Sequence, residues 1–376
     1  MAYWNPKIAT GLWCVGGQGA TSWQMPLYHS AIVVPKRMGI IKKAGLDGYS
    51  GHVGGDYEFD LSHKRATNHF GKVKEAGDKA GLICVDIVGS RFKAPDDRYG
   101  TFTSGDPKVR QVALDNMYKA GDLAQKWDVK TIRVWFGSDG KKGPFHTNSY
   151  ETLPRIRDGL LAFHDRYNDL RVAIEGKPGE PTDLQAINGT GNGIALCMAL
   201  NYQSGVPFKD GRFQNAWARI GPETNHQIMN GEDMEEGVAQ AIDLGVMGDL
   251  HACDGLFRVA RDFDEQFGKY NPTMLVELLD RMQQGYEQGK YDSNWIILDQ
   301  NANLAPRGRQ QIGHLALSKH FIRAALDVTS QDGFRLEVNR LREKHRFSDL
   351  DAFVMGEVGS VMQKSAELYR EDMGTQ

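Results

Sequence analysis

The sequence predicts an α/β fold, a TIM (β/α)8 barrel with a C-terminal helical extension, and three observations predict it. Short apolar runs of strand length alternate with longer amphipathic runs about eight times within roughly 310 residues, which suits a barrel. No G-x-G-x-x-G follows the first run, which weighs against the competing doubly wound sheet. After His314 the strand-like runs stop, and 315–376 reads as helical.

Residues 8–16, I-A-T-G-L-W-C-V-G, read as the first strand. A helix over 34–44 is stopped by Gly45, and strands follow at 46–52 and 82–88. Pro107 opens a helix in which Val109, Val112, Ala113, Met117, Ala120 and Leu123 recur at helical spacing. The fourth strand covers 129–136, a helix 153–167 and the fifth strand 170–175. Beyond it come a helix over 193–202, a strand near 217–223, a helix over 234–244 and a short strand over 250–253. A helix over 274–288 and a strand over 295–299 complete the barrel, which is assigned residues 1–314. The helices of 315–376 have charged faces, as in F-R-L-E-V-N-R-L-R-E-K-H-R. They either close the barrel or form an arm on a neighbouring subunit.

Composition narrows the function. A chain of 376 residues, 40% hydrophobic and 25% charged, can bury a sizeable core. A formal charge of -3 argues against nucleic-acid binding, which calls for a basic patch or stripe. Cys14, Cys84, Cys197 and Cys253 lie far apart without C-x-x-C spacing and read as reduced core thiols of a cytosolic protein. The start M-A-Y-W-N-P lacks the basic-then-apolar pattern of a signal peptide. No apolar run approaches the ~20 residues of a membrane span. A cytoplasmic setting without membrane contact is expected.

In a barrel the carboxyl ends of the strands converge on one mouth. There the stretch V-A-I-E-G-K-P-G-E-P-T at 172–182 delivers Glu175 and, two residues on, Lys177. Pro178 and Pro181 forbid an ordinary helix and stiffen the turn. Glu223 and His226 stand in G-P-E-T-N-H, at a spacing that lets both face a common centre. His251 lies in D-L-H-A-C-D, with Asp254 three residues later. Asp262 and Asp264 form D-F-D, whose alternate carboxylates can grip one cation, and Asp299 ends W-I-I-L-D. Any one of these residues alone would read as a cap or a surface charge. Glu175, Glu223, His226, His251, Asp262, Asp264 and Asp299 at successive strand ends read as a divalent-metal site. Carboxylate and imidazole donors suit Mg²⁺, Mn²⁺ or Co²⁺ better than a thiolate zinc site.

At this point the chain resembles the D-xylose isomerase family, in its shorter, actinobacterial-type class. G-L-W-C-V-G-G-Q-G at 11–19 is similar to the family's G-L-W-T-V-G-W-Q-G, and His52 follows Gly45 by seven residues, as the family's histidine follows its glycine. G-T-F-T-S-G-D-P-K-V-R at 100–110 resembles G-F-T-S-N-D-x-x-V-R, with Phe92 ten residues before Phe102. Trp135 with Gly137 and Gly140 resembles W-G-G-R-E-G, and I-E-G-K-P-G-E-P at 174–181 resembles I-E-P-K-P-N-E-P.

The resemblance implies a metal-dependent aldose-ketose isomerase with two divalent cations per chain. Glu175 and Glu223 would hold a structural cation, with Glu223 bridging to a catalytic one completed by His226, Asp262 and Asp264. Lys177 would contact the open-chain sugar near its C1 oxygen, and His52 would assist ring opening. Trp13, Phe92 and Trp135 would form an apolar wall along the sugar carbons. Trp23 would reach a neighbouring site, making the protein a homo-oligomer, dimer or tetramer.

Three stretches depart from the family. The aspartate run after its ring-opening histidine is here H-V-G-G-D, so either Asp56 orients His52 or ring opening works differently. His251 stands where H-I-D-L-N places a metal-binding aspartate, with Asp254 as the alternative. W-I-I-L-D-Q-N replaces F-D-F-K-P, so Asp299 aligns only with a slip. Alternatives are a barrel epimerase or lyase acting on a keto-sugar or glycoside with one divalent metal, or a sugar-binding barrel without catalysis. A metal count near two per chain favours the isomerase.

Overall fold

The computed structural model describes residues 3–16, 31–54, 57–92, 94–257, 259, 262–302 and 308–374. Eight parallel strands form its main sheet: β1 (Lys7–Gly11), β2 (Gly48–His52), β3 (Ile83–Val88), β4 (Thr131–Trp135), β5 (Arg171–Glu175), β6 (Ala218–Ile220), β7 (Leu250–Ala252) and β8 (Trp295–Leu298). Their order is β6-β5-β4-β3-β2-β1-β8-β7, so each strand lies beside its sequence neighbour and β8 returns to β1. The free edges, β6 and β7, meet through isolated bridges, Ile220 with Met247 and Glu223 with His251. There the His251 amide donates to the Pro222 carbonyl at 2.9 Å. The result is a closed TIM barrel.

Parallel neighbours need long crossovers, and helices supply them. They are α1 (Val34–Lys43), α2 (Phe70–Ala80), α3 (Pro107–Trp127), α4 (Ser149–Arg166), α5 (Thr190–Gln203), α6 (Thr224–Asn230), α7 (Met234–Asp243) and α8 (Pro272–Glu287). Strand alternation sends Ile132 and Val134 into the apolar layer beneath the helices, while Arg133 reaches the polar groups on the barrel axis. α3 begins as expected, with Pro107 in its first turn and Asp106 accepting from the Lys108 amide at 2.8 Å. Its apolar face is rotated from the expected one, and Val112 is exposed.

Three departures from the sequence reading have physical causes. β1 stops at Gly11 because the chain turns there, the Cys14 amide donating back to the Gly11 carbonyl at 3.1 Å. The Trp13 ring then folds over Gly11, where a Cβ would stand 2.3 Å from it. α2 is invisible to periodicity, since its F-G-K-V-K-E-A-G-D-K-A buries little beyond Val73 and Gly77. Gly77 belongs there because Tyr49 packs on it, 2.6 Å from where a Cβ would lie. Finally, the 314/315 boundary falls inside a continuous helix, α9 (Arg309–Thr329).

With α10 (Asp332–Glu343) and α11 (Phe347–Gly374), α9 forms the C-terminal extension. α11 packs along α9 and touches α8 of its own chain. Asp372 fixes its end, meeting Lys319 at 3.2 Å and His320 at 2.8 Å. Among the described residues no helix is long and apolar enough to cross a membrane. Trp23, expected to reach a neighbouring site, lies outside the described residues.

Candidate metal centre

A cavity of about 230 Å³ opens at the carboxyl ends of the strands. Every site residue expected from the sequence lines it except Asp56, which lies outside the described residues. His52, Trp135 and Glu175 end β2, β4 and β5. Glu223 is the N-cap residue of α6, so His226 stands one turn further on the same face. His251 is the middle residue of β7, Asp262 and Asp264 come from the loop after it, and Asp299 follows β8. Asp264 takes a φ of 44°, a left-handed conformation unusual for a residue with a side chain.

The donors fall into two groups that share Glu223. Glu175, Glu223, His251 and Asp299 each offer one ligand atom, all within 4.8 Å of one another, and so do Glu223, His226 and Asp262. Asp264 joins Glu223 beside Cys253 at the same spacing. Nδ1 of His251 stands 2.9 Å from both Glu175 Oε2 and Asp299 Oδ2. Nε2 of His226 is 3.1 Å from Glu223 Oε1 and 3.7 Å from Asp262 Oδ1. Asp254, the alternative to His251, is spent elsewhere. Its carboxylate accepts the amides of Gly255, Tyr270 and Asn271 at 2.8, 2.7 and 3.1 Å and the Asn271 side chain at 2.6 Å. It secures the loop rather than joining either group.

Five carboxylates thus face the fixed cations Arg133 and Lys177. Burial, then the neighbouring Asp299, Asp264, Asp262 and Glu175, push Glu223 well above the usual carboxylate range. Burial and Asp262 do the same to Asp264. Asp262 is held well below that range, against burial, by the Lys177 ammonium and by His226. His251 rises to about 9, because Glu175 and Asp299 outweigh burial and Arg133. The buried atoms Oδ1 of Asp264 and Nδ1 of His226 have no hydrogen-bond partner among the described residues. An oxygen-rich set with imidazole, short of positive charge and with donor atoms to spare, fits hard or borderline divalent cations.

No protein-family model matches the chain. Solved structures do. L-ribulose 3-epimerase superposes with a TM-score of 0.57 over 86% of this chain and 95% of its own, at 12% identity. The 3-keto-D-glucoside 4-epimerase of E. coli gives 0.54 over 85% and 99%, at 15% identity. A xylose isomerase-like TIM barrel/4-hydroxyphenylpyruvate dioxygenase fusion protein gives 0.54 over 91% of this chain, at 12% identity. The chain spans 44% of that fusion protein's length. The fold is the TIM barrel these proteins share.

The mouth of the barrel has an aromatic wall. Trp13 packs on His52 with ring centroids 4.7 Å apart and donates from Nε1 to Asp299 Oδ1 at 2.6 Å. Phe92 lies between His52 and Trp135, at 5.8 and 4.8 Å. Lys177 is buried over the Trp135 ring, 5.2 Å from its centroid, and pairs with Asp262. The pairing ties it to the second donor group rather than to Glu175.

The orienting carboxylate of His52 is Glu58. Its Oε2 meets both Nδ1 and the backbone amide of His52 at 3.0 Å, and the histidine holds Glu58 down at about 2 despite burial. The sequence offered Asp56, which lies outside the described residues, and did not reveal Glu58, whose approach depends on the path of the chain after His52. Val53 bridges Phe59, which places residue 58 beside His52. Tyr57 comes with it and stacks on His52 at 5.3 Å. Sequence reading also missed Asn225, which donates to Asp262 at 2.8 Å, and the thiols of Cys14 and Cys253, 3.3 Å from Asp299 and Glu223. Arg133, a cation at an inward position of β4, was signalled by strand alternation alone.

Proposed function

We propose that the protein is a divalent-metal-dependent sugar isomerase that interconverts an aldose and a ketose by a 1,2-hydride shift. The observation that carries this reading is Glu223, one carboxylate common to two donor groups at the mouth. Two divalent cations, Mg²⁺, Mn²⁺ or Co²⁺, supply Lewis-acid stabilisation of charge developing on two adjacent sugar oxygens. Glu175, Glu223, His251 and Asp299 would hold one, and Glu223, His226, Asp262 and Asp264 the other.

The remaining work falls to side chains. Glu58 accepts a hydrogen bond from Nδ1–H of His52, which leaves Nε2 with a lone pair for the anomeric hydroxyl during ring opening. Lys177 donates to the C1 oxygen of the open chain. Trp13, Phe92 and Trp135 cover the sugar carbons and keep water from the migrating hydrogen. The same reading makes the protein a cytoplasmic homo-oligomer whose C-terminal helices contribute to the subunit contact.

A second reading, an epimerase of keto-sugars using one cation, is favoured by the fold neighbours, among them the two epimerases named above. Glu175, Glu223, His251 and Asp299 alone would suffice for it. One experiment separates the two. A panel of aldoses and ketoses is incubated with each metal in D₂O, and metal is counted per chain. Aldose-ketose interconversion without solvent deuterium at C1 or C2, and two cations per chain, support the isomerase. Solvent deuterium at an inverted carbon with one cation supports the epimerase. No turnover of any sugar overturns both.

A further inference from the structure

Beneath the donor groups lies a second polar layer that the proposed reaction does not use. Arg133 is 1% exposed, mid-strand in β4, and its guanidinium is spent on four neighbours. Nε donates to Asp86 Oδ2 at 2.9 Å, and Nη1 to Glu175 Oε2 at 3.2 Å and to the Gly221 carbonyl at 2.9 Å. Nη2 donates to the Asp249 carbonyl at 3.3 Å. One side chain therefore ties β3, β5 and the ends of β6 and β7 to β4. Asp86, fully buried, also accepts the Ser50 hydroxyl, and its Oδ2 lies 4.0 Å from Nε2 of His251.

We propose that Asp86 and Arg133 are positioning residues for the first donor group, Arg133 fixing the Glu175 carboxylate and Asp86 fixing the His251 ring. The proposal rests on the reading that Glu175, Glu223, His251 and Asp299 hold a cation. A neutral imidazole has one N–H, and a buried N–H without an acceptor is costly. Nδ1 of His251 faces Glu175 and Asp299, the side a cation shared with them would occupy, so a ligating His251 keeps its proton on Nε2, where the carboxylate at hand is Asp86. Closing that gap to hydrogen-bond distance takes about 1 Å. A carboxylate behind a ligating histidine sets which nitrogen binds and which way the ring faces. Here it explains how a histidine can stand where an all-carboxylate set would need none. Arg133 does the corresponding work for Glu175. Its planar fork holds one oxygen in place where a lysine would supply only a point charge.

The test is cation binding, read by Mn²⁺ calorimetry and by the visible spectrum of the Co²⁺-loaded protein. His251→Ala identifies which cation depends on the first group. That cation should bind 10- to 100-fold more weakly in Asp86→Asn and in Arg133→Met, the range expected for groups behind a ligand. Its Co²⁺ spectrum should change, and Arg133→Lys should restore little. Because either single variant leaves a buried charge alone, the double variant Asp86→Met with Arg133→Met, which buries no charge, is measured as well. If the pair only balances its own charge, the double variant recovers wild-type affinity, and the proposal is overturned. If it positions Glu175 and His251, the double variant folds and still binds that cation weakly. A wild type with one cation per chain overturns the two-cation reading and leaves this comparison intact. A wild type that binds none overturns both.

Discussion

Replacing Glu223 with glutamine removes the donor that both groups share while keeping its shape. The carboxylate is 3% exposed, and its ligand atom lies within 4.8 Å of those of Glu175, Asp299 and Asp262. At that separation two like charges repel by roughly 3–4 kcal/mol at an effective dielectric constant of about 20. Without metal, burial and that repulsion hold the Glu223 carboxyl well above the usual carboxylate range, so the neutral Glu223→Gln matches its protonated form and should melt no lower than the wild type. With metal the two should part. A ligand at about 100 times its Kd adds roughly 2.7 kcal/mol. Unfolding entropy near 2.1 cal/mol/K per residue comes to about 0.8 kcal/mol/K for 376 residues, so each cation raises Tm by about 3 °C. Two cations should give the wild type about 7 °C across a Mn²⁺ titration followed by scanning calorimetry. The variant should gain little and lose aldose-ketose turnover. A variant that keeps the whole shift and the activity refutes the bridging role.

Other outcomes follow from single contacts. Both His52→Ala and Glu58→Gln should slow a cyclic sugar on the order of 10²-fold and its open-chain form far less; equal losses on the two would remove ring opening from their role. Asp254→Ala strands the part-buried amides of Tyr270 and Asn271 and should cost about 1–3 kcal/mol in urea unfolding, with the metal count unchanged. A lost cation would instead put Asp254 among the donors. His314 is lowered to about 4 by burial. The unfolded chain takes up its proton first, so its contribution is intact above about pH 6.5 and declines as the pH falls towards 4, by up to roughly 3 kcal/mol. His314→Leu should flatten that part of the urea-midpoint profile between pH 7 and 4, and an unchanged slope would exclude the histidine as its source.

The barrel was legible because its strands are buried on both faces and end in ligand-type residues, a pattern that survives without knowing any contact. Glu175, Glu223, His226, Asp262 and Asp299 could be picked out for the same reason: each follows an apolar run by a residue or a few, and the topology brings such ends together. What stayed hidden depends on the path of the chain between those ends. Glu58 reaches His52 only because Val53 and Phe59 pair across a turn. α2 stabilises the fold through a glycine packed under Tyr49, a contact with no hydrophobic signature. Arg133 looks like a surface charge until β3 and β5 are placed on either side of it. The C-terminal extension was seen as helical, but α9 begins before His314, and its first turns already pack on α11, Gly313 lying under Tyr369.

The bridge between Glu223 and His251 has a mechanical consequence. These two donors sit on opposite lips of the joint where β6 meets β7, and no continuous ladder secures that joint among the described residues. A cation gripped by both would act as a latch. The amides of His251 and Gly248, which donate across the joint to Pro222 and Ile220, become the protons whose exchange with solvent slows when metal is added. Those between β2 and β3, on the far wall, are held by their own ladder and should not respond. Chelation would then open the cylinder along one line, and proteolytic nicking of the metal-free protein should begin beside it.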